Sequence, residues 1–288
     1  MTGLPVKYVG ALLGTGGIGK SYCLIAIATA VATAGATDEL SILPGSVSPR
    51  RVLMLAAEED QVMLHQRFYR VGQHIPQHAR ELLYENLLVL STVGKTPQIV
   101  DRNGQRNERA VQEIISCAQG YGLVILDTSR QFHSGDENRS DHMTAFTSAL
   151  THIAVSIDAA VLFSHHIGKG ALRNGTADAG DAGRGSMALH DNVKFQLNLS
   201  RPQLPLLRAY GLSEDDASWY AALDVSKVNF VRPMPTKLLR RRDDGTLHYD
   251  RTLDISAYKP SSHHRVETKN ESAASAHESY EDEDLFGI

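Results

Sequence analysis

The sequence has very little cysteine and no apolar run long enough to cross a membrane. Only two cysteines occur among 288 residues, Cys23 and Cys117, and both are predicted to be small buried apolar residues. So few cysteines argue against a disulfide framework and favour a reducing compartment. No apolar run approaches the ~20 residues of a transmembrane helix, and the N-terminus lacks the pattern of a signal peptide. We therefore expect a cytoplasmic protein with no membrane contact.

The body of the chain also lacks a net charge of either sign. Residues 256–288 carry three Lys and Arg residues against seven Asp and Glu residues, which accounts for the whole net charge of −4. A neutral body excludes a protein that is basic throughout, so any nucleic acid must bind to a local patch. The amino-acid composition also changes at residue 256, after which Ser, His, Glu and Lys prevail and large apolar residues are few. We predict one folded domain over residues 1–255 and a flexible acidic tail over residues 256–288.

Glycine, by contrast, is concentrated near the start of the chain. The segment reads Gly14-Thr15-Gly16-Gly17-Ile18-Gly19-Lys20-Ser21-Tyr22, after an apolar run and before a stretch with helical spacing of aliphatic residues. Strand, glycine loop and helix are the context of a Walker A motif, whose backbone N–H groups and helix dipole bind phosphates. Residues 14–22 are therefore predicted to bind ATP, with Lys20 on the β- and γ-phosphates and the Ser21 hydroxyl on Mg²⁺.

Apolar runs of strand length alternate with helical patterns through the rest of the body. The predicted strands cover residues 52–57, 87–90, 123–127 and 159–164, and the predicted helices cover residues 62–71, 109–119 and 144–157. This alternation predicts an α/β fold with a mostly parallel, doubly wound sheet that binds ligands at the carboxyl ends of its strands. Antiparallel strands are predicted to follow at 193–199, at 219–230 and in a hairpin around Asp244-Gly245.

Acidic and histidine residues stand where three of these strands end. Asp127 follows four aliphatic residues and suits a Walker B acid, which helps to hold Mg²⁺. Glu58 or Glu59 is placed to polarise an attacking water, although both also suit the first turn of a helix because they complement its dipole. His165 and His166 end the strand beyond Asp127, where a polar side chain can contact the γ-phosphate. No cysteine or further histidine has the spacing of a zinc site with this pair.

Further short motifs follow one another through the body. In chain order they are Ala57-Glu58 with Arg67, Leu126-Asp127-Thr128 with Arg130 and Phe132-His133, Phe163-Ser164-His165-His166 with Lys169-Gly170, Arg184-Gly185-Ser186, Asp191-Asn192, and Val225-Ser226-Lys227 with Asn229. Together with the glycine loop they span residues 9–242. In this order they resemble the plasmid RepA-type hexameric replicative helicases, which belong to the RecA-like, DnaB-related ATPases.

The resemblance implies a role for several residues. Glu58 would be the catalytic base, Asp127 the Walker B acid and His166 the γ-phosphate sensor. Residues 168–183 would form a channel loop facing single-stranded DNA, with Lys169 and Arg173 as its cations. The resemblance also implies a RecA-like fold, a ring-shaped homo-oligomer, most simply a hexamer, and a role in plasmid or phage-type DNA replication.

The sequence departs from this family at the residue that acts on a neighbouring subunit's ATP. Where the family carries an arginine finger after Asp191-Asn192, this chain has Lys194. A lysine is a point charge without the planar fork of a guanidinium group, so the trans-acting role falls to Lys194 or to Arg184.

Two other functions remain open at this point. A RecA-like ATPase for repair or regulation would hydrolyse ATP on DNA without displacing a strand. A nucleotide-gated scaffold would bind ATP and barely turn it over, and the presence of both Glu58 and His166 argues against it.

The acidic tail ends in an unusual sequence. Five acids between residues 278 and 284 are followed at once by Leu285-Phe286-Gly287-Ile288. Acidic runs are usually solvated, but apolar side chains are costly to expose. A run of charge that steers an encounter, followed by an apolar plug, predicts that this segment docks a replication partner or folds back over the basic channel when DNA is absent; the alternative is a solvated end with no partner.

Overall fold

The computed structural model describes residues 3–36, 49–167, 189–231, 234–250 and 253. The predicted channel loop with Lys169 and Arg173, the candidate Arg184 and the acidic tail all lie outside these residues. The predicted division of the chain after residue 255 therefore stays a prediction.

A nine-stranded sheet forms the centre of the described fold. Its strands are β1 (Val9–Gly14), β2 (Val52–Ala56), β3 (Leu87–Ser91), β4 (Leu123–Asp127), β5 (Ala160–His166), β6 (Phe195–Ser200), β7 (Tyr220–Val228), β8 (Lys237–Arg241) and β9 (Leu247–Tyr249). They are ordered β3-β2-β4-β5-β1-β6-β7-β8-β9 across the sheet. Strands β1 to β6 pair in parallel, and β6 to β9 pair antiparallel. This order confirms the predicted parallel sheet with antiparallel C-terminal strands.

Helices cover both faces of the sheet, as parallel strands require. They are α1 (Lys20–Ala32), α2 (Gln61–Gln73), α3 (Gln77–Asn86), α4 (Glu108–Cys117), α5 (Ser129–Phe132), α6 (Ser140–Ser156) and α7 (Leu204–Ala209). Every residue of α1 except Ser21 is buried. Its alanines and aliphatic residues leave it apolar on all sides, so it occupies the interior.

Two apolar layers lie on the two faces of the sheet. On one face, α1 packs with residues from α2 and α3, such as Val71 and Ala79, against alternate strand residues that include Leu12. On the other face, α4 and α6 bury residues such as Ile114 and Phe146. Because side chains alternate along each strand, the same strands supply both layers. The sheet thereby holds the ends of its strands in fixed relative positions.

The C-terminal hairpin lies at the same end of the sheet as the glycine loop, the end where the parallel strands finish. Strand β7 begins at this end, because Ala222 pairs with Ser200 at the end of β6. Strand β8 ends there, because Arg240 pairs with Tyr220. The turn to β9 contains Gly245 at φ +86°, which confirms the hairpin predicted around Asp-Gly.

Some local predictions need correction. Cys23 is buried as expected, but Cys117 is exposed because it falls outside the buried stripe of α4 and lies beside Glu113. Helices α3, α5 and α7 were not predicted, since they are short or interrupt their apolar spacing with charged residues. Helix α6 begins at Ser140 and not at Thr144, because its first turn is polar and carries no apolar periodicity.

Among the residues that the structure describes, no helix combines the length and the apolar character needed to cross a bilayer.

Candidate functional site

The glycine loop joins the carboxyl end of β1 to the N-terminus of α1. Gly17 and Gly19 have φ angles of +73° and +107°, in the left-handed region that side chains disfavour. A Cβ atom added to Gly16 or Gly17 would meet no heavy atom within 4 Å. The backbone at the tip of the loop is therefore open to a ligand, and the loop leads directly into a helix N-terminus. Both features fit a bound polyphosphate.

Lys20 is held at the mouth of this loop. Its side chain is buried, and Nζ donates to the carbonyl oxygens of Gly14 and Thr15, each at 2.9 Å. Nζ also lies 3.0 Å from Nδ1 of His166. Burial lowers the pKa of Lys20, and the charges of Asp127 and Glu58 oppose this shift. The loop, two strand ends and one cation thus meet at a single point.

Asp127 ends β4 and contacts hydroxyl groups from two directions. The Ser164 hydroxyl on β5 donates to Oδ1 of Asp127 at 2.5 Å, and the Ser21 hydroxyl on α1 is also hydrogen-bonded to this carboxyl group. Burial raises the pKa of Asp127, while these two hydrogen bonds lower it. A serine hydroxyl and a carboxylate in contact are the oxygen ligands that Mg²⁺ prefers. Ser21 and Asp127 therefore fit the predicted Mg²⁺ site.

The two neighbouring glutamates have different partners. Glu59 forms a salt bridge with Arg67, whose guanidinium group lies 4.7 Å from the centre of the Tyr22 ring. Glu58 accepts a hydrogen bond from Thr128 at 2.9 Å, and its Oε1 lies 3.8 Å from Nε2 of His166. Glu58 is thus the glutamate that faces Lys20 and His166.

The two neighbouring histidines are also distinct. His165 is buried, and its Nδ1 lies 2.8 Å from the Ser129 hydroxyl. Burial lowers the pKa of His165 to about 4, and the charges of His166 and Lys20 contribute to this shift. His166 is partly exposed and contacts both Lys20 and Glu58, and burial together with Lys20 lowers its pKa as well. His166 is therefore the member of the pair that a ligand can reach.

Tyr22 differs from the other residues predicted to bind ATP. Its ring is nearly buried beneath the turn between β8 and β9, and its hydroxyl donates to the Asp244 carbonyl at 3.5 Å. Its hydroxyl also accepts from Arg70 at 3.4 Å. The side chain therefore braces α1, α2 and the hairpin, and only the backbone of Tyr22 belongs to the phosphate-binding turn.

Lys194 lies far from the glycine loop of its own chain. Its backbone N–H donates to the Val9 carbonyl at the start of β1, whereas the glycine loop follows the end of that strand. Five residues of strand separate the two ends, about 16 Å. Lys194 therefore cannot reach phosphates bound at the glycine loop of its own chain.

Sequence reasoning gave no role to several residues that complete the site. Thr128, Ser129 and Ser164 each contact a residue at the end of a different strand. Arg241 on β8 donates to the Ile18 carbonyl of the glycine loop at 2.9 Å. A single hydroxyl near the end of a strand carries no distinctive signal, and the arginine triplet at residues 240–242 has the pattern of an ordinary solvated hairpin.

A glycine loop opening a buried helix, with an acid at the end of the strand two places away, defines a P-loop ATPase with a RecA-like sheet. Residues 2–171, more than half of the chain, match the family model described as AAA domain. The chain therefore belongs to this AAA domain family. Among solved structures it is similar to the crystal structure of the RadB recombinase, with a TM-score of 0.50 and 13% sequence identity. That match covers 84% of this chain and 90% of the other, and it shows the RecA-like fold.

Proposed function

We propose that this protein is an ATP-dependent DNA helicase that acts in plasmid or phage-type replication. It would work as a ring, in the simplest case a hexamer, that moves along single-stranded DNA. The observation that carries the proposal is the convergence of Lys20, Glu58, Asp127 and His166 at the mouth of one glycine loop. Resemblance to the RepA-type helicases supports the step from ATP hydrolysis to unwinding.

Each residue at the site has a task in phosphoryl transfer to water. The backbone of residues 14–19 and the Lys20 ammonium group bind the β- and γ-phosphates. Glu58 orients the attacking water and accepts its proton. His166, which bridges Lys20 and Glu58, contacts the γ-phosphate and is the group that responds to its loss. Mg²⁺, held by Ser21 and Asp127, would neutralise charge on the phosphate oxygens.

DNA and neighbouring subunits supply the rest of the proposed cycle. Lys169 and Arg173 are proposed to bind single-stranded DNA, and Lys194 or Arg184 to act on a neighbour's ATP. The position of Lys194, at the opposite end of β1 from the glycine loop, supports an action between subunits.

Steady-state phosphate release, measured with and without single-stranded DNA, tests this proposal. We expect DNA to stimulate hydrolysis by the wild type, and to stimulate the Lys169→Ala variant less. The slope of log DNA affinity against log salt should also flatten by about 0.7 for each DNA phosphate that the variant no longer neutralises. An equal rate of phosphate release with and without single-stranded DNA would contradict the proposal.

A second function is supported by the fold comparison. One solved structure that this chain resembles is named a recombinase. A RecA-like ATPase for repair or regulation would show the same DNA-stimulated hydrolysis without separating a duplex. Strand displacement distinguishes the two, because it is expected of the helicase alone.

The acidic segment of residues 278–288 is proposed to dock a replication partner through Leu285, Phe286 and Ile288. Deleting it should leave ATP hydrolysis near that of the wild type and reduce recruitment of that partner, or else raise DNA affinity at low salt if the tail competes with DNA. Equal DNA binding, unwinding and partner recruitment by the deleted and full-length chains would contradict this part of the proposal.

A further inference from the structure

Three consecutive residues at the end of β4 each bind a different part of the site. Asp127 is hydrogen-bonded by Ser164, Thr128 donates to Glu58, and Ser129 contacts His165. Their middle member touches the side chain proposed as the catalytic base. Thr128 is therefore the residue of this segment that can influence the orientation of the proposed base.

The backbone on both sides of the Thr128 contact is fixed. Ala56 on β2 pairs with Asp127 on β4, and the Ala57 N–H donates to the Asp127 carbonyl at 2.7 Å. Thr128 is only 2% exposed, and a β-branched side chain has few rotamers. The hydroxyl therefore has a defined position relative to the backbone that carries Glu58.

Glu58 itself lacks such restraint. Its side chain is 41% exposed, and a glutamate has three rotatable bonds before its carboxyl group. Thr128 contacts Oε1 at 2.9 Å, the same oxygen that lies 3.8 Å from Nε2 of His166. With both contacts at Oε1, the other oxygen, Oε2, is left for a water that is to be activated.

We propose that Thr128 is a positioning residue that holds Glu58 in the orientation required to activate water. This inference rests on the proposed ATP hydrolysis and gives Thr128 a role, whereas the family motif assigned one only to the neighbouring Asp127. Thr128 itself does not touch ATP and acts only through Glu58. Its loss should therefore slow the chemical step without weakening substrate binding.

The first test compares Thr128→Val, which keeps the shape and removes the hydroxyl, with Thr128→Ser, which keeps the hydroxyl. We expect Thr128→Val to lower kcat by about ten- to a hundredfold, the effect of one missing hydrogen bond to a charged group, with KM within about twofold. Thr128→Ser should recover most of kcat. Thr147→Val is a matched control, since the buried Thr147 hydroxyl bonds only to backbone carbonyls within α6.

A double-mutant cycle then shows whether Thr128 acts through Glu58. In a Glu58→Gln background, Thr128→Val should cost no further activity, because the side chain that it positions can no longer accept a proton. A Thr128→Val enzyme with kcat within twofold of wild type would overturn the inference. So would an equal, independent loss in the Glu58→Gln background, or a Thr128→Ser variant as slow as Thr128→Val. A wild-type protein without ATP hydrolysis would instead overturn the proposed function, and this inference with it.

Discussion

At the scale of single residues, the structure separates two adjacent glutamates that position along the strand left equivalent and that only the family resemblance distinguished. Glu59 is paired with Arg67, whereas Glu58 faces Thr128 and His166. We expect Glu58→Gln to bind ATP normally and to hydrolyse it at least about a hundredfold more slowly, because amide nitrogen and oxygen atoms do not accept the proton.

Glu59→Gln is the matched control for this prediction. It should keep turnover within about tenfold of wild type, since Glu59 braces Arg67 and does not face the glycine loop. Equilibrium binding of a labelled ATP analogue and phosphate release distinguish the two variants. Collapse of turnover in Glu59→Gln with near-normal turnover in Glu58→Gln would show that Glu59 is the base.

The burial of His165 predicts how the stability of the fold depends on pH. Burial holds its pKa at about 4 in the folded chain, against 6.5 for an ordinary histidine. Between these values the unfolded chain binds a proton that the folded chain does not, so the free energy of unfolding falls as pH falls. The His165 contribution to this loss is about 3 kcal/mol over the whole window.

Urea unfolding of wild type and His165→Gln from pH 7 to pH 4 measures that contribution. The difference between the two proteins isolates His165 from Asp127, whose raised pKa acts in the opposite direction. The stability of the variant should depend less steeply on pH. Parallel curves for the two proteins would show that His165 titrates normally in the folded state.

At the scale of elements, the hairpin of β8 and β9 supports the glycine loop. Arg241 donates to the Ile18 carbonyl, and Leu247 approaches Gly19 so closely that a Cβ there would lie 3.0 Å from it. We expect Arg241→Ala to weaken ATP binding about three- to tenfold, because the loop loses one hydrogen bond that fixes its shape.

Arg240→Ala is the control for this element. The neighbouring Arg240 is largely exposed, and its guanidinium group lies 3.9 Å from Asp250, the residue that follows β9. Its replacement should change the dissociation constant less than about twofold, as measured by titration with a fluorescent ATP analogue, because the largely exposed Arg240 pairs with Asp250 and not with the glycine loop. Equal weakening by both variants would point to a general effect of removing positive charge.

The strands and the glycine loop show how much of the fold and the site the sequence could predict. The strands, and the acid that ends one of them, were predictable because parallel strands are continuous apolar runs. Lys20 was predictable because its spacing from the glycines of the loop is fixed in the Walker A motif. The contact of Thr128 with Glu58 was not, because 70 residues separate them and their meeting depends on the adjacency of β2 and β4. Local patterns do not determine which strands become neighbours.

The same limit explains Tyr22 and Arg241. Tyr22 follows Ser21 and so belongs by position to the phosphate-binding residues, yet its side chain packs under a hairpin more than 200 residues away. Arg241 has the sequence context of a solvated cation, and the structure places it on the glycine loop. Both contacts arise because β8 runs antiparallel to β7 and so brings residues 241–244 next to the glycine loop and the start of α1.

At the scale of the whole molecule, the site is proposed to be completed by a neighbouring subunit. If Lys194 acts on a neighbour's ATP, Lys194→Ala and Glu58→Gln disable different halves of one site. Mixing the two inactive variants should then restore some hydrolysis, because some interfaces combine an intact Glu58 with an intact Lys194.

Phosphate release across a range of mixing ratios measures this effect. We expect activity that peaks at intermediate ratios. Mixtures that stay inactive at every ratio, or full activity of Lys194→Ala alone, would contradict a trans-acting Lys194.

Strand displacement tests the central claim most directly. A forked DNA duplex with a labelled strand is incubated with ATP and wild-type protein, and in parallel with Lys20→Ala. We predict that the wild type releases the labelled strand and that Lys20→Ala does not, since Lys20 is the residue proposed to bind the β- and γ-phosphates at the glycine loop. Wild-type protein that hydrolyses ATP on this DNA but leaves the duplex intact would contradict a helicase.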